Sequence, residues 1–115
     1  MTYQVYEVKS YEIDGELYFS KKQIREMLGI RHFETLKKHL EVLGLTNCHR
    51  LGWAEVKEIL ALKLFLYAKN GDFSRRMYKC LKDKGYLPKI FKHLGIDIDS
   101  EFQKIQNNYY KPKQS

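Results

Sequence analysis

The sequence predicts a mainly α-helical domain that opens with a small N-terminal β-hairpin and closes with short helices. Tyrosine- and valine-rich stretches flank Asp14-Gly15, a dipeptide that tolerates the positive φ angles of a two-residue hairpin turn. Further on, apolar residues recur at helical spacing between glycines that can end helices. A chain of 115 residues, 43% of them hydrophobic, can bury one core rather than two.

We therefore expect a single domain with four consecutive parts. These are a hairpin over residues 1–19, a helical body over 20–84, C-terminal helices over 85–110 and a frayed tail over 111–115.

The first helix is expected to begin directly after Ser20. Ser20 and Gln23 form a capping-box pattern, in which each side chain satisfies an exposed backbone amide of the first turn. Ile24 and Leu28 belong to the apolar stripe, and Gly29 is expected to end the helix in a left-handed conformation.

A second helix is expected from about Phe33 to Leu43, ending at Gly44. Its leucines form one buried stripe. Two short helices joined by a tight glycine turn, both with basic residues outside, are typical of a helix-turn-helix. The side expected to be exposed carries six hydrogen-bonding residues: Arg31, His32, Thr35, Lys37, Lys38 and His39.

A third helix of about four turns is expected after Trp53. Its second half is apolar nearly all round, which predicts that it is buried on most sides as the spine of the domain. Gly71 is expected to end it, Asp72 or Ser74 to cap the next helix, and Gly85 to close that one.

Two short helices are predicted in the C-terminal part. Pro88 suits the first turn of a helix that ends near Gly95, and Asp99 or Ser100 is expected to cap the last helix. A dimerisation surface is expected on the N-terminal hairpin or on the last helices, where the apolar stripe of Phe102, Ile105 and Tyr109 is the candidate.

The net charge of +7 is unevenly distributed along the chain. Residues 20–50 carry seven basic residues against three acidic ones, and residues 69–93 carry eight against two. Residues 51–68 between them are neutral, and residues 1–19 are net −3. Two basic blocks favour a polyanionic partner, and nucleic acid is favoured over a membrane because no lipid-anchoring signal is present.

The order of these segments resembles the mercury-resistance-regulator (MerR) superfamily. "YFSKKQIREMLGI", "HFETLKKHLEVLGL" and "HRLGWAEVKEILALKLFLYAKNGDFSRRMYKCL" are similar to its helix, glycine turn, recognition helix ending in Gly-Leu, wing, and third and fourth helices. The resemblance covers residues 18–84. It implies a winged helix-turn-helix that binds double-stranded DNA sequence-specifically, most simply as a transcriptional repressor and as a homodimer, with residues 31–39 as the recognition helix.

Carried over by position, the resemblance places Thr35, Lys37 and Lys38 where the family touches DNA. Arg50 matches the wing arginine that grips phosphate, and the fourth helix opens where the family often contacts the backbone. The family's long dimerising helix and effector domain have no counterpart here. The resemblance therefore implies a minimal member with no small-molecule effector, and we expect no cofactor.

The chemistry of the residues agrees with that expectation. Arg31 and Lys38 can donate to guanine N7 and O6, and Thr35 can reach a thymine methyl group or a phosphate. Cations at the start of the first helix are slightly disfavoured by its dipole, which hints at an external anion. The complete set of expected DNA contacts is Lys21, Lys22, Arg25, Arg31, His32, Thr35, Lys37, Lys38, His39, Arg50, Arg75 and Arg76.

Several alternatives stay open. The helix at 33–43 can be an ordinary solvated surface helix, and the same holds for the basic residues at 75–82. An excisionase-like or architectural DNA-binding factor of a mobile element, or a basic protein-interaction adaptor without DNA binding, would share this composition. N-terminal tyrosines that could stack on RNA bases lie in the acidic block, which argues against RNA.

Other classes of function are disfavoured. Cys48, His49, Cys80 and His93 lack the close local spacings of a structural zinc site. No nucleophile–base–acid arrangement or glycine-rich phosphate loop stands out, so we do not expect an enzyme. With two separated cysteines, no signal peptide and no apolar segment of membrane-spanning length, a cytoplasmic location is expected.

Overall fold

The structure, a computed structural model, describes residues 10–13, 16–48, 51–68 and 73–110. Its elements confirm the mainly helical fold with an N-terminal hairpin. In chain order they are β1 (Ser10–Ile13), β2 (Glu16–Phe19), α1 (Lys21–Leu28), α2 (Phe33–Leu43), α3 (Trp53–Tyr67), α4 (Arg75–Asp83), α5 (Leu87–Leu94) and α6 (Ile98–Tyr110).

The hairpin pairs β1 and β2 antiparallel, with Ile13 opposite Glu16. That register leaves two residues between the strands, as the Asp14-Gly15 prediction requires, although those two residues and residues 1–9 lie outside the described part. Phe19 also forms an antiparallel bridge to Leu51, with its backbone nitrogen 2.9 Å from the Leu51 carbonyl oxygen. The segment that enters α3 is thereby held against the hairpin.

The ends of α1 and α2 follow the predicted chemistry with one exception. The Ser20 hydroxyl accepts from the Gln23 amide at 3.1 Å, and Gly29 and Gly44 end the two helices at φ 68° and 73°. The Gln23 side chain, however, is buried, and its amide makes no hydrogen bond within the described residues. The expected capping box is therefore only half formed.

Helix α3 is the buried spine, as predicted. Two apolar clusters lie along it. The first contains Val56 and Ile59 and gathers β2, α1, α2 and α6, and the second contains Leu62 and Phe65 and gathers α4 and α5. One continuous helix thus fixes α2 relative to α4, which positions the site described below.

The remaining helix ends agree with the sequence except at the end of α3 and the start of α6. Helix α3 ends at Tyr67, with Ala68 as its C-cap, rather than at the predicted Gly71. The Ser74 hydroxyl accepts from the Met77 amide at 3.1 Å; Asp72, the other candidate, and Gly71 lie outside the described residues. The predicted cap of α6 is wrong, because Asp97 Oδ1 accepts from the Ser100 amide at 3.1 Å. Ser100 is already inside the first turn of a helix that begins at Ile98.

Candidate functional site

The outward face of α2 carries both signs of charge. Lys37 and Lys38 are exposed, as predicted. Glu34 and Glu41 are exposed as well, and at 100° per residue they lie nearly opposite the buried leucine stripe. The prediction from sequence named the hydrogen-bond donors of this face and omitted its two carboxylates. With Glu34 and Glu41 beside Lys37 and Lys38, the outward face of α2 is electrically balanced.

His39 is not on the exposed face, which corrects the sequence prediction. It is 3% exposed, and its Nδ1 accepts from Arg75 Nε at 3.1 Å. Burial, together with the positive charges of Arg75 and Lys63, lowers the pKa of His39 to about 4. The imidazole is therefore neutral at pH 7 and acts as an acceptor beneath α4.

A basic cleft opens where α2, α3 and the start of α4 meet. Its volume is about 370 Å³. Three of the residues predicted as DNA contacts meet here: Thr35 and His39, one turn apart on α2, and Arg75, which lies 36 residues beyond His39. The lining residues of the basic cleft are Thr35, His39, Lys63, Leu66, Tyr67, Phe73, Ser74 and Arg75.

Lys63 is the member of the basic cleft that sequence reasoning missed. Its Nζ donates to the carbonyl oxygen of Leu28, the last residue of α1, where the helix dipole is negative and carbonyls lack intrahelical partners. The same nitrogen lies 5.7 Å from the centre of the Tyr67 ring. A single lysine in the apolar half of a buried helix was the available signal.

Arg25 is tied to the turn between α1 and α2 rather than projecting from the surface. It is half-buried, and its Nη1 donates to the Arg31 carbonyl oxygen at 3.0 Å. The Arg31 side chain itself is exposed, as are His32 and Lys22. Arg25 thus stabilises the turn that presents the first residues of α2.

Basic residues of α4 divide into two groups. Lys79 pairs with Asp83 at 3.2 Å, and Lys82 pairs with Glu58 of α3 at 2.7 Å. Arg76 is exposed, and Arg75 turns toward the basic cleft. The predicted run of basic residues along one face of α4 is therefore largely neutralised beyond its first turn.

Positive charge without a carboxylate partner gathers around the α1–α2 turn and the basic cleft. Within the described residues, Arg25, Lys63 and Arg75 contact carbonyl oxygens or an imidazole and form no ion pair. Lys21 is half-buried at the start of α1. Arg50, the predicted wing arginine, lies outside the described residues.

The stripe predicted for dimerisation belongs instead to the chain's own core. Tyr109 is 9% exposed, and its ring centre lies 5.4 Å from that of Trp53 and 5.3 Å from that of Phe19. Phe102 and Ile105 are half-buried against the same cluster. Tyr109 is therefore not available as a dimer surface, whereas Phe102 and Ile105 stay partly exposed.

Comparisons with known proteins give no information about this site. No protein-family model, curated protein or solved structure matches the chain. In the described part, no helix is long and apolar enough to cross a membrane. The resemblance to the MerR superfamily stays a prediction.

Proposed function

We propose that this chain binds double-stranded DNA in a sequence-specific manner and acts most simply as a transcriptional repressor by occupying its site. The observation that supports this most directly is the unpaired positive charge of Arg25, Lys63 and Arg75 around the start of α2. Exposed Arg31 extends it, and exposed His32 adds a hydrogen-bonding group beside it. Such charge adjoining a short exposed helix suits a duplex, whose phosphates supply the missing anions.

Docking would begin at the basic cleft. Lys63 and Arg75 would lie beside a phosphate, and the free amides at the N-terminus of α4 add a favourable dipole. Ser74 and Thr35 contribute hydroxyl groups at the same place. These contacts fix register and orientation without reading sequence.

Reading would then fall to the first turns of α2. In a helix-turn-helix the N-terminal residues of the second helix contact base edges in the major groove. Lys37 and Lys38 can donate to guanine, and Glu34 can accept from the amino group of cytosine. The segment between α2 and α3, whose Leu51 pairs with Phe19 of the hairpin, would act as the wing, which makes the proposed domain a MerR-like winged helix-turn-helix.

Dimerisation remains part of the proposal, because one reading helix covers only a half-site and two symmetric copies would bind a palindromic site. With Tyr109 buried, the candidate dimer surfaces are the partly exposed Phe102 and Ile105 of α6 and the N-terminal hairpin.

The test is selection from random-sequence duplexes, repeated at two salt concentrations. The wild type should select a motif, and Lys38→Ala should relax one position of it. The double variant Lys37→Ala/Lys38→Ala should bind about tenfold more weakly. Lys89→Ala/Lys92→Ala removes the same charge from two exposed residues of α5 and serves as the matched control.

Salt-dependent binding without a selected motif would instead identify an architectural factor of a mobile element, and no duplex binding even at low salt would remove the proposal. The second candidate is then a protein-interaction adaptor, which the mixed charge of Glu34, Lys37 and Glu41 on α2 favours. It predicts an acidic protein partner whose binding weakens in Lys37→Ala/Lys38→Ala.

A further inference from the structure

Phe33 is an exposed aromatic residue at the first position of α2. It is 48% exposed, and it belongs to neither apolar cluster of the described residues. Within the described part its ring contacts no other aromatic ring, whereas Phe19 and Phe65 each contact several. Phe33 continues the stripe of Leu36 and Leu40 toward the start of α2 at helical spacing, yet it lies outside the cluster that buries those leucines, so the fold leaves about half of its surface uncovered.

The surroundings of Phe33 restrict what can cover it. Arg31 and His32, both exposed, precede it directly, and Lys37 lies one turn further along the same side of α2. A partner that covers Phe33 beside Arg31 and Lys37 would bring an apolar group and negative charge to the same place, next to the exposed Glu34. Duplex DNA offers that combination in its major groove, where the thymine C5-methyl is the apolar group among polar base edges and phenylalanine is a suitable contact for it.

We propose that Phe33 contacts a thymine methyl group in the major groove and thereby determines part of the sequence preference. This rests on the proposed duplex binding, and it adds a specificity-determining residue to a helix otherwise read through its charged side chains. Position supports the assignment, since the first residues of a recognition helix contact base edges. Of the four large exposed apolar residues described, Phe33, Tyr67, Met77 and Tyr86, only Phe33 lies on α1 or α2.

The experiment replaces each thymine of the selected site, one at a time, by deoxyuridine, which lacks only the C5-methyl group. Wild-type binding should weaken about fourfold at one position of each half-site, the loss expected for one buried methyl group. In Phe33→Ala the thymine and deoxyuridine duplexes should bind equally at that position. When that thymine is changed to cytosine, methylating the cytosine at C5 should restore part of the wild-type affinity.

Two variants serve as controls. Phe33→Leu keeps an apolar side chain on the same helix and should retain part of the methyl preference. Tyr86→Ala removes another exposed aromatic ring, 53% exposed on the segment before α5, and should keep the full preference. Because Phe33 is half exposed, its truncation should leave the circular dichroism spectrum unchanged.

The possible outcomes distinguish a failure of the Phe33 contact from a failure of the proposed duplex binding. A selected motif with no deoxyuridine-sensitive position, or an equal sensitivity in Phe33→Ala and wild type, overturns the role of Phe33 and leaves DNA binding standing. If wild-type binding does not depend on the methyl group but Phe33→Ala no longer bends the DNA, the ring acts as a wedge between base pairs. That result also overturns the proposed methyl contact. Failure of the wild type to bind any duplex removes both proposals together.

Discussion

Helix α4 and the region around the start of α2 are both rich in basic residues, yet they hold their charges differently. Along α4, Lys79 and Lys82 lie within 3.2 Å and 2.7 Å of carboxylate oxygens. Around the α1–α2 turn and the basic cleft, Arg25, Lys63 and Arg75 contact neutral acceptors instead. Lys63 comes from the segment that is neutral in sequence and Arg75 from the start of α4 itself, so only the structure separates the paired cations from the unpaired ones.

The difference shows why net charge alone does not locate a site. Exposed ion pairs such as those of α4 each contribute about 1 kcal/mol or less to stability. Because the paired charges cancel, they produce little positive electrostatic potential that could attract an anionic ligand. Cations held by carbonyl oxygens keep their full charge, and holding several of them close together disfavours the free protein. A phosphate bound among them would relieve that repulsion.

The largest predicted effect concerns His39, the neutral group among these cations. Its pKa is lowered from 6.5 to about 4 in the folded chain, mainly by burial. Between pH 6.5 and 4 the unfolded chain binds more protons than the native one, so stability falls as the pH falls through that window. The loss should reach about 3 kcal/mol near pH 4, measured by urea unfolding at successive pH values.

His39→Asn is the control, because its Oδ1 can replace Nδ1 as acceptor for Arg75 but does not titrate. It should show a flatter stability profile over the same pH window. Equal slopes for the two proteins would contradict the buried, neutral state of His39.

The next effect compares the two basic regions directly. Arg75→Gln should lower duplex affinity about tenfold and reduce the slope of log affinity against log salt by about 0.9, the value for one lost phosphate contact. Lys82→Gln removes the same charge from an ion pair with Glu58 and should change affinity by less than about twofold. Fluorescence anisotropy over a salt series measures both, and equal losses would erase the distinction between the regions.

The smallest effect sharpens the role of the carboxylates on α2. Glu34→Gln should raise affinity for random duplexes about threefold, because it removes repulsion from the phosphates, and it should reduce discrimination at one selected position. Asp99→Asn removes a carboxylate of α6 that is paired with Lys57 at 2.6 Å and lies on a different helix, and it should raise random-duplex affinity less. An unchanged affinity of Glu34→Gln for random duplexes would show that the carboxylate does not face DNA.

Much of the fold could be predicted because its signals are local. Gly29, Gly44 and Ser74 act through backbone geometry within one turn, and the helices they bound were placed correctly. The cap of α6 was misplaced by two or three residues, since Asp97, Asp99 and Ser100 all have side chains that can cap a helix.

The site was harder to predict because it is assembled from distant segments. His39 looks exposed on a helix considered alone, and only the packing of Arg75, 36 residues away, buries it. Lys63 looks like an interruption in an apolar run until Leu28 is seen to accept from it. From sequence, Tyr109 is expected to lie on an uncovered apolar stripe of α6. The aromatic residues that cover it, Phe19 and Trp53, lie far earlier in the chain.

The most direct test of the central claim is amide chemical-shift mapping of the isotope-labelled chain during titration with a selected duplex. If unneutralised charge marks the binding surface, the largest shifts will fall on the first turns of α2 and on the basic cleft, at Thr35, Lys63 and Arg75. The ion-paired part of α4 around Lys79 and Lys82 will shift little. Shifts concentrated on that part of α4, or on α5, with the basic cleft unchanged, would contradict the account.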